Sequence, residues 1–144
     1  MNIVLLDPRQ TESELWSISA KRQLEHLHRH LELKAGDTLK VGIQNGKRHL
    51  TQVVEVSETA VRIKPLYEEP VPAKLPVTLI VAMPRPKVLR RLVMDAVTLG
   101  VEKIILLHSY RADKSYWQTP FLQQLDQYVT LGLEQAGDTI APKV

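Results

Sequence analysis

Four cations stand within seven residues, at Arg85, Lys87, Arg90 and Arg91, with no acid among them. Lys87, Arg90 and Arg91 are spaced i, i+3, i+4, which puts them on one face if the segment is helical. Lysine and arginine gathered in this way supply electrostatic affinity for phosphates without reading sequence. The plainer alternative is a solvated helix face. Cations at a helix N-terminus oppose the macrodipole, so their presence there favours a phosphate or RNA contact. Arg111 and Lys114 follow in a predicted loop, and loops held by a rigid scaffold often carry function. Tyr116 and Trp117 beside them could stack on bases or pack as a lid.

Other chemistries find little support. His26, His28 and His30 alternate in a predicted helix. Successive ones then point about 200° apart, whereas zinc ligands on a helix prefer i, i+4. No metal site is expected. There is no cysteine, which removes disulfides, thiol nucleophiles and thiolate metal sites. No nucleophile elbow, P-loop or dinucleotide fingerprint is present among the six glycines, so hydrolase and kinase readings lack a motif.

The elements that must position the cations run from Pro76 to Gly100. Val77 to Met83 is apolar apart from Thr78 and reads as a strand. Pro84 and Pro86 end it, and an apolar-striped helix over 87–99 stops at Gly100. A second strand runs from Lys103 to Leu107, a loop from His108 to Thr119, and a helix over 121–136. Strand–helix–strand alternation implies a parallel sheet, with the cations at its carboxyl edge, where α/β folds bind ligands. Only TIAPKV follows Gly137-Asp138, which looks like a third strand beginning. A parallel sheet of two strands is unfinished. A partner chain would complete it, or the sequence is a piece of something longer.

The first half reads differently. Ile3 to Leu6 is a short strand and Arg9 to Ser17 a loop. Ser19 is the expected N-cap of a helix whose stripe is Ala20, Leu24, Leu27 and Leu31, ended by Gly36-Asp37. Lys21, Arg22 and Arg29 lie on its opposite face. Thr38 to Ile43 and Leu50 to Val56 are strands around Asn45-Gly46, a type I′ turn signal. Val61 to Lys64 alternates again. Short strands at this spacing predict a small antiparallel barrel or sandwich. Glu68 to Pro76 holds three prolines and reads as a linker. The domains are therefore 1–72 and 73–144.

Composition sets the bounds. The chain has 144 residues, a net charge of +3, 44% apolar residues and 24% charged residues. That is ordinary for a soluble globular protein. No segment reaches the ~18 apolar residues that span a bilayer, and the N-terminal apolar piece is too short for a signal peptide. A cytoplasmic, non-membrane protein is expected.

Several stretches together resemble a known family. His26 to Asp37, HLHRHLELKAGD, is similar to H-x-x-x-V-L-R-L-K-x-G-D. Ala96 to Val101 is similar to A-T-E-L-G-V, Ser109 to Arg111 to S-E-R, and Glu134 to Pro142 to E-Q-S-G-R-x-x-x-P. These are motifs of the bacterial 16S ribosomal RNA uridine-N3 methyltransferases of the SPOUT (trefoil-knot) class. The resemblance covers nearly the whole chain. It implies a PUA-like RNA-binding barrel followed by the start of a SPOUT methyltransferase domain. It implies a homodimer that moves a methyl group from S-adenosylmethionine to N3 of a uridine in 16S rRNA of the small ribosomal subunit. By the match to S-E-R, Arg111 is the residue expected near the target base. Lys21, Arg22, Arg29, Arg85, Lys87, Arg90, Arg91 and Lys114 are the expected RNA contacts.

The sequence departs from the family at Glu32, Thr98 and Asp138. The family binds its cofactor in a C-terminal knot with a G-P-E-G-G loop and a later R-I-L-R-x-E-T-A stretch, and neither motif is present in this chain. The chain by itself is expected to be an inactive N-terminal portion. A non-catalytic RNA-binding module is the alternative, and a protein-interaction domain with an open sheet edge a third.

Overall fold

The computed structural model describes residues 2–107 and 124–144. These form two compact units, Asn2–Val71 and Pro72–Val144.

The first unit is a five-stranded, barrel-like sheet in the order β1-β3-β4-β5-β2. Its strands are β1 (Val4–Leu6), β2 (Trp16–Ile18), β3 (Thr38–Ile43), β4 (Arg48–Val56) and β5 (Val61–Glu69), with one helix, α1 (Lys21–Arg29). Alternation fills the interior, because successive strand residues face opposite sides. Leu39 and Val41 of β3 and Val61 and Ile63 of β5 point in, joined by Leu6, Ile18 and Leu27. The amide of Gln23 on α1 donates to the Leu5 carbonyl at 2.8 Å and ties the helix to β1.

Local chemistry corrects several expectations here. The sheet is mixed, since β1 pairs with β3 in parallel and the other pairs are antiparallel. Arg9 to Ser17 is not all loop. Asp7 and Gln10 form a capping box on a 3-10 turn, Pro8–Thr11, and the Gln10 amide donates to the Ser17 carbonyl at 3.0 Å, holding β2 in place. The N-cap of α1 is Ala20, which supplies no side-chain bond, rather than Ser19. The helix stops at Arg29, well before Gly36, and Glu32 adopts a positive φ of 45°. Of the expected stripe, Leu24 and Leu27 are buried and Leu31 is exposed. The Asn45-Gly46 hairpin is not type I′, which needs two positive φ values. Only Asn45 has one, 61°. Gly46 instead lets the chain pass close to Ile43, where a Cβ would stand 3.3 Å from the Ile43 carbonyl oxygen. β5 runs on to Glu69, with a bulge that sets Thr51 opposite Pro65 and Leu50 opposite Tyr67. The Arg48 guanidinium grips the Pro70 carbonyl at 2.7 and 3.0 Å. The linker is therefore shorter than the proline count implied.

The second unit holds β6 (Leu75–Ala82), α2 (Pro86–Leu99), β7 (Val101–Leu107) and α3 (Leu125–Ala136). β6 and β7 are parallel, with Leu79 opposite Ile104 and Ala82 opposite Leu107. α2 is the crossover between them. Gly100 and Gly137 end α2 and α3 in the left-handed conformation, at φ 84° and 71°, which glycine adopts without a Cβ penalty. Leu89, Val93 and Val97 of α2 and Leu133 of α3 are buried. Residues near the end lie beside β7: Lys103 and Lys143 form a parallel bridge, and the Ile104 amide donates to the Lys143 carbonyl at 2.7 Å. Where a third strand is expected, the described residues form a single bridge. β6 is poorly covered, with Leu75, Val77 and Ile80 at 49%, 45% and 60% exposure.

Candidate nucleic-acid interface

The carboxyl ends of β6 and β7 are held level by the Met83 amide, which donates to the Leu107 carbonyl at 2.8 Å. α2 begins at this edge. Arg85 is its N-cap and Pro86 its first residue, a position where the missing proline N–H costs nothing. The helix is anchored through Leu89, Val93 and Val97, so its 3.6-residue period turns Lys87, Arg90 and Arg91 outward. All three are exposed. Among the described residues, Met94 and Asp95 join them in lining a groove of about 470 Å³. Arg85 is exposed at the helix start.

Among the described residues, three cations face one acid in this groove. No ion pair is formed by Lys87, Arg90 or Arg91 among the described residues. The Arg90 guanidinium lies 5.7 Å from the centroid of the buried Tyr128 ring, a cation–π distance that orients it without neutralising it. Free cations converging on one groove are what a phosphate-bearing strand needs.

The cations of α1 have a different setting. Lys21 and Arg29 line a groove of about 750 Å³ with Glu25, His28 and Glu58. Arg29 is paired with Glu25 at 3.0 Å, and two acids share the groove, so its charge is mixed. Arg22 is exposed on the same helix. The His26 and His30 rings stand 5.1 Å apart, and no group of three His, Asp or Glu side chains converges among the described residues. Arg111, Lys114, Tyr116 and Trp117 lie outside the described residues.

Two of the three departures from the family motifs make local polar contacts. Thr98 donates to the Met94 carbonyl at 2.7 Å within α2 and reaches the Gly132 carbonyl of α3 at 3.5 Å. Asp138 is 3% exposed and pairs with Lys74 at 2.6 Å. Glu32 is exposed where the chain leaves α1. The sequence reading missed Met94 and Asp95 as lining residues. The helical spacing of Asp95 from Arg91 could have flagged it.

The matched family model is the RNA methyltransferase domain, over residues 71–144, just over half the chain. The chain belongs to the RNA methyltransferase domain family. It is 32% identical over its whole length to the ribosomal RNA small subunit methyltransferase E of Treponema pallidum, and spans 56% of that relative's length. Two crystal structures share the fold at low identity. One is a probable rRNA-methyltransferase from Porphyromonas gingivalis, with a TM-score of 0.76 and 14% identity, covering 98% of this chain and 58% of that one. The other is a ribosomal RNA small subunit methyltransferase E from Neisseria gonorrhoeae bound to S-adenosyl methionine. Its TM-score is 0.71 and its identity 18%, covering 99% of this chain and 61% of that one. Membership of the RNA methyltransferase domain family agrees with the motif resemblance drawn from residues 96–142.

A methyl-donor cofactor asks for a concave site with close backbone approach. The described residues do not supply one at the carboxyl edge. The second unit has three glycines. Gly100 and Gly137 stop helices, and Gly132 is pressed against α2.

Proposed function

We propose that this chain is the RNA-positioning portion of an rRNA methyltransferase that transfers a methyl group from S-adenosylmethionine to N3 of a uridine in 16S rRNA. The observation that carries the reading is the set of Lys87, Arg90 and Arg91 on one face of α2, at the carboxyl edge of the parallel sheet, with no ion pair among the described residues. The T. pallidum relative and the cofactor-bound N. gonorrhoeae structure support the reaction class. In this reading Lys87, Arg90 and Arg91 hold backbone phosphates. Arg85 and Lys114 extend the contact, and Arg111 stands near the target base, where it stabilises the charge left as the uridine gives up its N3 proton. Residues 2–71 form a PUA-like barrel, with Lys21, Arg22 and Arg29 as a second, weaker RNA track. The whole protein acts as a homodimer, and methyl transfer is a property of the whole protein rather than of these residues alone.

The test is the N3-methyluridine content of small-subunit RNA, read by mass spectrometry, in cells lacking the gene. One methylated uridine is lost. The wild-type gene restores it, and a Lys87→Glu/Arg90→Glu/Arg91→Glu variant restores at most about a tenth, because three reversed charges each weaken phosphate binding. Unchanged N3-methyluridine in the deletion overturns the reading.

A further inference from the structure

Asp95 is the one acid lining the α2 groove among the described residues. A carboxylate there repels a polyanion. Arg91 stands four residues earlier, where an ion pair could cancel it, yet no ion pair or hydrogen bond engages Asp95 among the described residues. The described residues of the groove therefore present three cationic side chains and one carboxylate without a partner among them.

An ionised carboxylate only accepts hydrogen bonds, so its partner in an occupied groove must be a donor. Backbone phosphates have none. A nucleic-acid strand offers two kinds: base amines and imides, which change with sequence, and the ribose 2′-hydroxyl, which recurs at every ribonucleotide. Four helical residues separate Arg91 from Asp95, a rise of about 6 Å. That is comparable to the step from a backbone phosphate to the sugar beside it. Met94 lies on the same face and offers apolar atoms against a sugar ring.

We propose that Asp95 accepts a hydrogen bond from a ribose 2′-hydroxyl and makes the α2 groove select RNA over DNA. The inference rests on the reading of this groove as an RNA contact. Deoxyribose leaves the carboxylate facing phosphates with no donor, and a site built around a hydroxyl rejects the analogue that lacks it. At an exposed position the charge-assisted bond is worth about tenfold in affinity.

The experiment measures binding of a single-stranded RNA and the 2′-deoxy strand of the same sequence. The proteins are the wild-type chain, Asp95→Ala, Asp95→Asn and Lys87→Ala/Arg90→Ala/Arg91→Ala. Wild type prefers RNA by about tenfold. Asp95→Ala brings the ratio close to one, by losing RNA affinity while gaining DNA affinity. Asp95→Asn, which keeps an acceptor oxygen, retains part of the preference. If Asp95→Ala instead strengthens both strands equally and the ratio survives, Asp95 is only a repulsive charge and the inference fails alone. If the triple variant binds RNA as wild type does, the groove is not the RNA contact, and both the reading and the inference fail.

Discussion

Lys74 and Asp138 are 64 positions apart in sequence and meet at 2.6 Å. Asp138 is nearly inaccessible, and its second oxygen accepts from the amides of Thr139 and Ile140 at 2.7 and 3.1 Å. One carboxylate thus fixes the start of the second unit and turns the chain after α3 toward β7. A buried charge is tolerated only when paired and hydrogen-bonded, and removing one partner leaves the other uncompensated. Asp138→Ala is expected to cost about 3 kcal/mol of unfolding free energy. Lys74→Met alone is strongly destabilising as well, and Lys74→Met/Asp138→Asn loses less than the sum of the single changes in a denaturant-based double-mutant cycle. In the sequence, Asp138 is legible only as a departure from an arginine motif. Its partner could not be read, because nothing local links residues so far apart. Lys87, Arg90 and Arg91 were legible because one helix carries all of them and its period fixes their shared face. Asp95 lies on that face too, legible by its spacing from Arg91 rather than by its type.

At the scale of elements, α2 and α3 approach closely at Gly132. A Cβ there would stand 2.8 Å from Val97 Cβ and 2.9 Å from the Met94 carbonyl oxygen. Alanine gains about 1 kcal/mol of helix propensity over glycine, but overpacking against fixed backbone costs about 1–3 kcal/mol. The clash decides the sign. Gly132→Ala is expected to lower the thermal midpoint by several degrees, and calorimetry reads it directly. The helices themselves were readable, since a glycine stops each and an apolar stripe runs through α2. α1 was read too long because Leu31 continues the stripe by type. The chain leaves the helix at Arg29, and Leu31 is exposed. β2 was missed because three residues are too few to show alternation, and tertiary bonds from Gln10 and β5 hold it. The parallel β1–β3 pair was equally invisible, since strand direction follows from chain path rather than pattern.

The whole molecule divides its work between a barrel with a filled interior and an α/β unit whose cationic helix faces outward. The proline-rich stretch and the change from two-residue to 3.6-residue periodicity made that division readable. The family match over residues 71–144 agrees with the reading of the second unit as RNA methyltransferase sequence. β6 has a further consequence for how the protein behaves in a tube. Among the described residues its ladder to β7 occupies one edge, and its residues from Val77 to Ala82 carry no charge. Segments of that kind, rich in β-branched and aliphatic residues, seed intermolecular stacking when they stand exposed. The chain should thus self-associate as its concentration rises, with a lag and a seeding response, at a rate set by this strand rather than by global unfolding. Ile80→Lys places a charge on the most exposed apolar position of the strand. It is expected to raise the concentration at which light scattering first departs from the monodisperse value, while the melting temperature hardly moves. An unchanged threshold would assign self-association to another surface.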